Sequence, residues 1–208
     1  MGLPNLNHAY YTYGDYLKWP EDVRYELIDG EAYLMSPAPT VSHQDIAGEV
    51  YAQLLNALRG KPCRVLIAPV DVRLPKVGEA DEADEQIDTV VQPDVLIVCD
   101  QSKVSERGLR GAPDWVLEVL SPATAGRDQV QKLELYERHG VREYWLIHPR
   151  DKVLTIYKRA NGIDGVDGVN RVYGRPHVQA LAGQTRLNIL DGVCIQWDEV
   201  VSRLPKLD

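Results

Sequence analysis

Cysteine is scarce in this chain. Its three residues, Cys63, Cys99 and Cys194, are far apart and odd in number. No C-x-x-C pair occurs, which argues against structural zinc and against a disulfide-built scaffold. We therefore expect three reduced thiols, the usual state in the cytosol. Long hydrophobic runs are missing too. No stretch approaches the roughly 18 apolar residues of a membrane span, so no membrane association is expected. The N-terminus, Met1 through His8, lacks the basic start and apolar run of a secretory signal, and the expected location is cytoplasmic. Positive charge is short: Lys and Arg number 23 against 31 Asp and Glu, a net charge of −8. That weighs against a broadly basic nucleic-acid-binding face, although the pattern of charge counts for more than its sum. There is no internal repeat, no P-loop and no G-x-G-x-x-G. Segment 160–176 is rich in Gly and Asn but lacks the acidic spacing of an EF-hand, and reads as a flexible loop.

What is present is an ordinary globular composition, 44% apolar and 26% charged over 208 residues, enough for one domain with a real core. Thr12 is a candidate N-cap for a short helix holding Tyr13, Tyr16 and Leu17, which Pro20 ends. Residues 24–35 read as a hairpin, with Asp29-Gly30 as a type I′ turn. Ser42 to Asp45 has capping-box form, and a helix runs from there to about Gly60 with Ile46, Ala47, Val50 and Leu54 on its apolar stripe. Strands are expected over 64–74, 89–98 and 114–120. Polar loops are expected over 76–87 and 100–113. The second carries Lys103, Arg107 and Arg110 and is a candidate for backbone contact with a nucleic acid. A helix follows over 127–139, closed by Gly140, then strands at 143–148 and 152–159. The stretch 178–200 reads as short strands turned at Gly183 and Asp191-Gly192. The order predicts an α/β (α+β) fold with a mixed central sheet flanked by helices. Its core spans about 36–148, between an N-terminal helix and hairpin (9–35) and a C-terminal β-rich extension (149–208).

Two of these strands carry a chemical oddity. Val91–Val98 and Trp115–Leu120 are aliphatic enough to be buried on both faces, yet they contain Asp94 and Glu118. A buried, unpaired carboxylate costs several kcal/mol or takes up a proton. A divalent cation shared by the two resolves the conflict. Lys132 lies on the next helix. Two carboxylates and a lysine are the parts of a metal-assisted phosphodiester hydrolase. Glu26, beside the hairpin turn, either sits exposed or reaches this site. His43, at the positive end of its helix, is either packed or a phosphate contact.

The ordered set Tyr25-Glu-Leu-Ile-Asp-Gly-Glu31, Ser36-Pro-Ala-Pro39 with His43-Gln44, and Gln92-Pro-Asp-Val95 is specific. It continues with Glu118-Val-Leu-Ser-Pro122, Arg127-Asp128, Lys132-Leu-Glu-Leu-Tyr136 and Glu143-Tyr-Trp-Leu-Ile147. Over about residues 10–160 the chain resembles the Uma-type family of restriction-endonuclease-like proteins, within the PD-(D/E)XK nuclease superfamily. The resemblance implies that fold, with Pro93-Asp94 as the first acidic motif and Glu118 as the second. The superfamily's lysine stands two residues after that glutamate. Here that position is Leu120, and Lys132 is the substitute the resemblance suggests.

The implied activity is Mg²⁺- or Mn²⁺-dependent cleavage of DNA. Asp94, Glu118 and the Val119 carbonyl would be metal ligands, and Asp94, Glu118 and Lys132 the catalytic set. Lys132 would orient or deprotonate the attacking water, or neutralise charge on the phosphate. His43, Glu26, Gln131 and Tyr136 would support them or touch substrate. A homodimer is the expected arrangement for cutting both strands. Two rival readings stand beside this one. In the first, a degenerate nuclease binds nucleic acid or a protein partner without cleavage. In the second, the carboxylates are structural ion pairs.

Overall fold

The computed structural model describes residues 10–20, 23–35, 38–79, 83–122, 124–159 and 172–205. Helix α1 (Tyr13–Tyr16) starts at the Thr12 cap, whose backbone N–H reaches Asp15 Oδ2 at 3.2 Å. Strands β1 (Tyr25–Ile28) and β2 (Glu31–Leu34) form the hairpin, and both turn residues have positive φ, as a type I′ turn requires. Helix α2 spans Val41–Ala57. Its N-cap is Thr40 rather than Ser42: the Thr40 hydroxyl accepts the His43 N–H at 3.3 Å.

Then follow β3 (Arg64–Ile67), β4 (Val72–Arg73), β5 (Val90–Val91), β6 (Val95–Val98), β7 (Val104–Ser105), β8 (Gly108–Arg110) and β9 (Trp115–Val119). A π-helical stretch, Arg127–Gln131, runs into α3 (Lys132–His139), whose C-cap is Gly140 in the left-handed conformation. The chain continues through β10 (Glu143–His148), β11 (Val153–Lys158), β12 (His177–Ala180), β13 (Gln184–Arg186), β14 (Cys194–Gln196) and α4 (Trp197–Arg203).

The strands form two six-stranded sheets, ordered β2-β1-β5-β4-β8-β7 and β12-β11-β10-β9-β6-β3, plus the β13–β14 pair. The second sheet is mixed: β9 and β10 run parallel, and their neighbours pair antiparallel. Two expected strands prove to be crossings between sheets. The 64–74 run leaves the second sheet after β3, passes the cis Ala68-Pro69 bond and enters the first as β4. The 89–98 run is β5 in the first sheet and β6 in the second, broken at Pro93, which has no N–H to give a ladder.

Three other expectations are corrected. Within 100–113, expected as loop, β7 and β8 form a hairpin that pairs with β4. Strands this short show no alternation in sequence. Trp197–Arg203, expected to be largely strand, is helical, with Trp197 and Val200 buried one turn apart and Asp198 and Glu199 in the first turn. Cys63 and Cys99 form a disulfide rather than two reduced thiols. The antiparallel register that sets Arg64 opposite Val98 sets them opposite each other one step further out, although 36 residues separate them in sequence. The expected flexible loop falls mostly on 160–171, outside the described residues.

Strand alternation sorts β9 between two cores. Trp115, Leu117 and Val119 face Val50 and Leu54 of α2 and Trp197 of α4. Val116 and Leu120 face the other way, toward Leu135 and Tyr136 of α3 and the first sheet's Val72, Val91 and Leu109. Glu118 shares that second face, at the meeting of two sheets and a helix. The N-terminal aromatics pack as an anchor, with Tyr11 and Tyr13 against Leu27, Ile87 and Val90.

His139, in the last turn of α3, lies with Nδ1 2.8 Å from the Leu135 carbonyl. Burial lowers its pKa below the ordinary 6.5 in spite of that bond. The unfolded chain therefore binds more protons, and stability present above 6.5 is lost as pH falls through and below it. Urea denaturation over a pH series should show a shallower acid limb for His139→Gln than for the wild type. An unchanged limb would contradict the assignment.

Candidate active site

The break between β5 and β6 releases backbone donors from the sheet ladders, and buried donors need partners. Two carboxylates take them. The Gln92 N–H donates to Glu26 Oε1 at 2.9 Å, and the Asp94 N–H points at Glu118 Oε2 at 3.4 Å. Pro93, between them, has none to give. The sequence Gln92-Pro93-Asp94 thus draws Glu26 from the first sheet and Glu118 from the second to a single point.

Lys132 fills that point. Its Nζ is 2.8 Å from Glu26 Oε1, 2.9 Å from Glu118 Oε1 and 3.5 Å from Asp128 Oδ1. All four side chains are at most 5% exposed. The Tyr136 hydroxyl, one turn along α3, also donates to Glu118 Oε1, at 3.1 Å. Burial alone would strip the Lys132 proton, but Glu118, Glu26 and Asp128 outweigh it and hold the ammonium well above its ordinary pKa. Burial pushes Glu118 and Asp128 up, against the pull of Lys132. Three carboxylates around one ammonium leave an excess of buried negative charge, which favours a shared proton or a further cation.

Asp94 lies beside this cluster and is less buried. Its Oδ2 accepts the Val119 N–H at 2.7 Å and lies 3.1 Å from His43 Nε2. Burial lowers the His43 pKa, but Asp94, with Asp128 and the Val119 backbone, raises it more, and the imidazole ends above its ordinary value. Its Nδ1 is buried without a partner among the described residues.

A divalent ion fits this donor set in part. Asp94 Oδ1 takes no hydrogen bond among the described residues, and Glu118 Oε2 takes only the long one from Asp94. These two oxygens, hard donors beside excess negative charge, suit Mg²⁺ or Mn²⁺, which keep several waters. No group of three or more His, Cys, Asp or Glu side chains among the described residues is gathered for a metal. The protein would therefore supply few ligands.

Of the residues singled out in sequence, Asp94, Glu118, Lys132, Glu26, Tyr136, His43 and the Val119 backbone come together. Glu26 is buried, not exposed on its hairpin. Gln131 stands apart: it is exposed, and its amide donates to the Tyr33 hydroxyl at 3.1 Å. Asp128 and Arg127 went unassigned. Asp128 is found by its i, i+4 spacing to Lys132. Arg127 lies over the Tyr33 ring, 4.4 Å from its centroid, with Nη1 3.7 Å from Glu26 Oε2. Nothing in the sequence announces that stacking.

A family model described as "Putative restriction endonuclease", named Uma2, matches residues 13–183. The chain belongs to the Uma2 family. A Uma2-like fold is also seen in the crystal structure of "a putative nuclease belonging to DUF820" from Anabaena variabilis. It superposes with a TM-score of 0.68 at 18% identity, covering 92% of this chain and 98% of that one. An uncharacterised protein of Synechocystis sp., slr1290, is 26% identical over 150 residues, 70% of this chain and 72% of its own. The Uma2 assignment and the fold agree with a restriction-endonuclease-like architecture. No described helix is long and apolar enough to cross a membrane. In this Uma2 chain Leu120 packs in the core beside Val116 and Leu135, and Lys132 approaches Glu118 from α3 instead.

Lys132→Met would leave three buried carboxylates without their cation. Chemical denaturation at neutral pH should show a loss of about 3–5 kcal/mol. Tyr136→Phe removes one donor to a buried charge and should cost about 1.5–3 kcal/mol. A Lys132→Met protein as stable as wild type would contradict the cluster.

Proposed function

We propose that this chain is a divalent-metal-dependent endonuclease that hydrolyses phosphodiester bonds of DNA. The observation that carries the reading is a pair of carboxylates beside a fixed ammonium: among the described residues Asp94 Oδ1 takes no hydrogen bond, and Glu118 Oε2 takes only the long one from Asp94. Asp94, Glu118 and the Val119 carbonyl would hold the ion. When bound, Mg²⁺ or Mn²⁺ supplies an activated water at neutral pH and polarises a phosphoryl oxygen.

The protein's own groups set the stage. His43 and the Val119 N–H fix Asp94 Oδ2, which leaves Oδ1 to face a ligand. Tyr136 and Lys132 fix Glu118 Oε1 in the same way. Lys132 Nζ has its three donors turned to Glu26, Glu118 and Asp128, so of the roles open to it charge balance fits the contacts best. A symmetric pair of copies would present one such site to each strand of a duplex.

A second reading has its own support. Leu120 stands where the superfamily carries its lysine, and the three Lys132 contacts match the three N–H donors of an ammonium. A degenerate site that binds nucleic acid without cutting follows from that. Plasmid cleavage in Mg²⁺ and Mn²⁺ separates the two. The nuclease reading expects metal-dependent nicking by wild type and a loss of at least about 100-fold in Asp94→Ala. Cleavage by Asp94→Ala at the wild-type rate would remove Asp94 from the reaction. Binding without cleavage by wild type would favour the second reading.

A further inference from the structure

A phosphate approaching Asp94 and Glu118 meets a negatively charged wall and needs a cationic partner beside it. Lys132 is not free to be that partner. Its Nζ lies within 3.5 Å of three carboxylates, and its side chain is 4% exposed. His43 has Nε2 against Asp94. Arg127 differs from both. Its side chain is 18% exposed, and it makes no hydrogen bond among the described residues. Its one ion-pair contact, with Glu26, is loose at 3.7 Å.

Yet the guanidinium is held in place. It lies over the Tyr33 ring at 4.4 Å, a cation–π distance. The ring itself is tethered, since the Tyr33 hydroxyl donates to Glu31 at 2.6 Å and accepts from Gln131 at 3.1 Å. Glu26 links Arg127 to Lys132, so the guanidinium is one carboxylate away from the Glu118 cluster. A planar fork of N–H donors, oriented in advance, partly exposed and without a hydrogen bond among the described residues, matches the oxygens of a phosphodiester.

We infer that Arg127, seated on Tyr33, is a phosphate-binding subsite that grips the nucleic-acid backbone beside the Asp94–Glu118 pair. The inference rests on the nuclease reading above. It assigns phosphate contact to Arg127 and leaves Lys132 as internal charge balance. Tyr33 is a positioning residue that keeps the guanidinium from folding back onto Glu26.

The test is fluorescence anisotropy of a labelled DNA duplex, and of its RNA counterpart, against the full-length chain in Ca²⁺ over a salt series. Cleavage kinetics in Mg²⁺ accompany it. Arg127→Ala should weaken binding about tenfold and flatten the slope of log K against log salt by about 0.9, the loss of one phosphate contact. Arg127→Lys should restore the slope but not the full affinity, because an ammonium lacks the fork. Tyr33→Ala should weaken binding and leave the slope unchanged. It also serves as the second variant if Arg127→Ala does not fold. Loss of affinity for the duplex alone would assign the subsite to DNA, and equal loss for both to a shared phosphate contact. Wild-type affinity and slope in Arg127→Ala, with wild type still cutting, would overturn the inference alone. A wild type that binds neither probe would overturn the inference together with the reading it rests on.

Discussion

A single ammonium holds this site together. Lys132 takes Glu26 from one sheet, Glu118 from the other and Asp128 from the helical segment that carries it. Each carboxylate alone would be a costly buried charge, and the lysine alone would be no cheaper. Together they form a polar joint where two sheets and α3 meet. Such a joint adds little net stability beyond what an apolar filling would give, but it fixes relative position. Removing its cation is costly because the partners remain.

The backbone cooperates through Pro93. A strand passing from one sheet to another must give up ladder bonds on the way. Here the N–H groups on either side of the proline meet Glu26 and Glu118. Asp94 is left at the crossing, on irregular backbone between β5 and β6, with Oδ2 tied and Oδ1 taking no hydrogen bond among the described residues. The same crossing that defines the fold therefore brings Asp94 and Glu118 side by side. Around this crossing the Tyr136 hydroxyl donates to Glu118, His43 lies against Asp94, and Arg127, stacked on Tyr33, reaches Glu26.

Much of this was legible in sequence, for a physical reason. Carboxylates inside aliphatic strands are expensive, so Asp94 and Glu118 stood out without any structure. Lys132 follows them on the next helix, and Leu120 occupies the position where the superfamily carries its lysine. The Asp29-Gly30 turn and the Gly140 cap are local chemistry, and both formed as expected. Features that depend on contacts distant in the chain were hidden. The Cys63–Cys99 bond depends on strand register, and the split of 89–98 between two sheets depends on where its partners lie. Glu26 reads first as an exposed hairpin carboxylate, and only the placement of β1 beside β5 shows it buried. Asp128 carries a readable local signal, its i, i+4 spacing to Lys132. The helix at Trp197 was obscured by β-branched neighbours whose burial against α2 decides their state.

The central claim is that the open oxygens of Asp94 and Glu118, and not the space around Lys132, receive the metal. Anomalous scattering from crystals soaked in Mn²⁺ tests it most directly. The account predicts one strong peak within bonding distance of Asp94 Oδ1 and Glu118 Oε2, with the Lys132 ammonium still among its three carboxylates. A peak in place of that ammonium, or an empty site at saturating Mn²⁺, would contradict it.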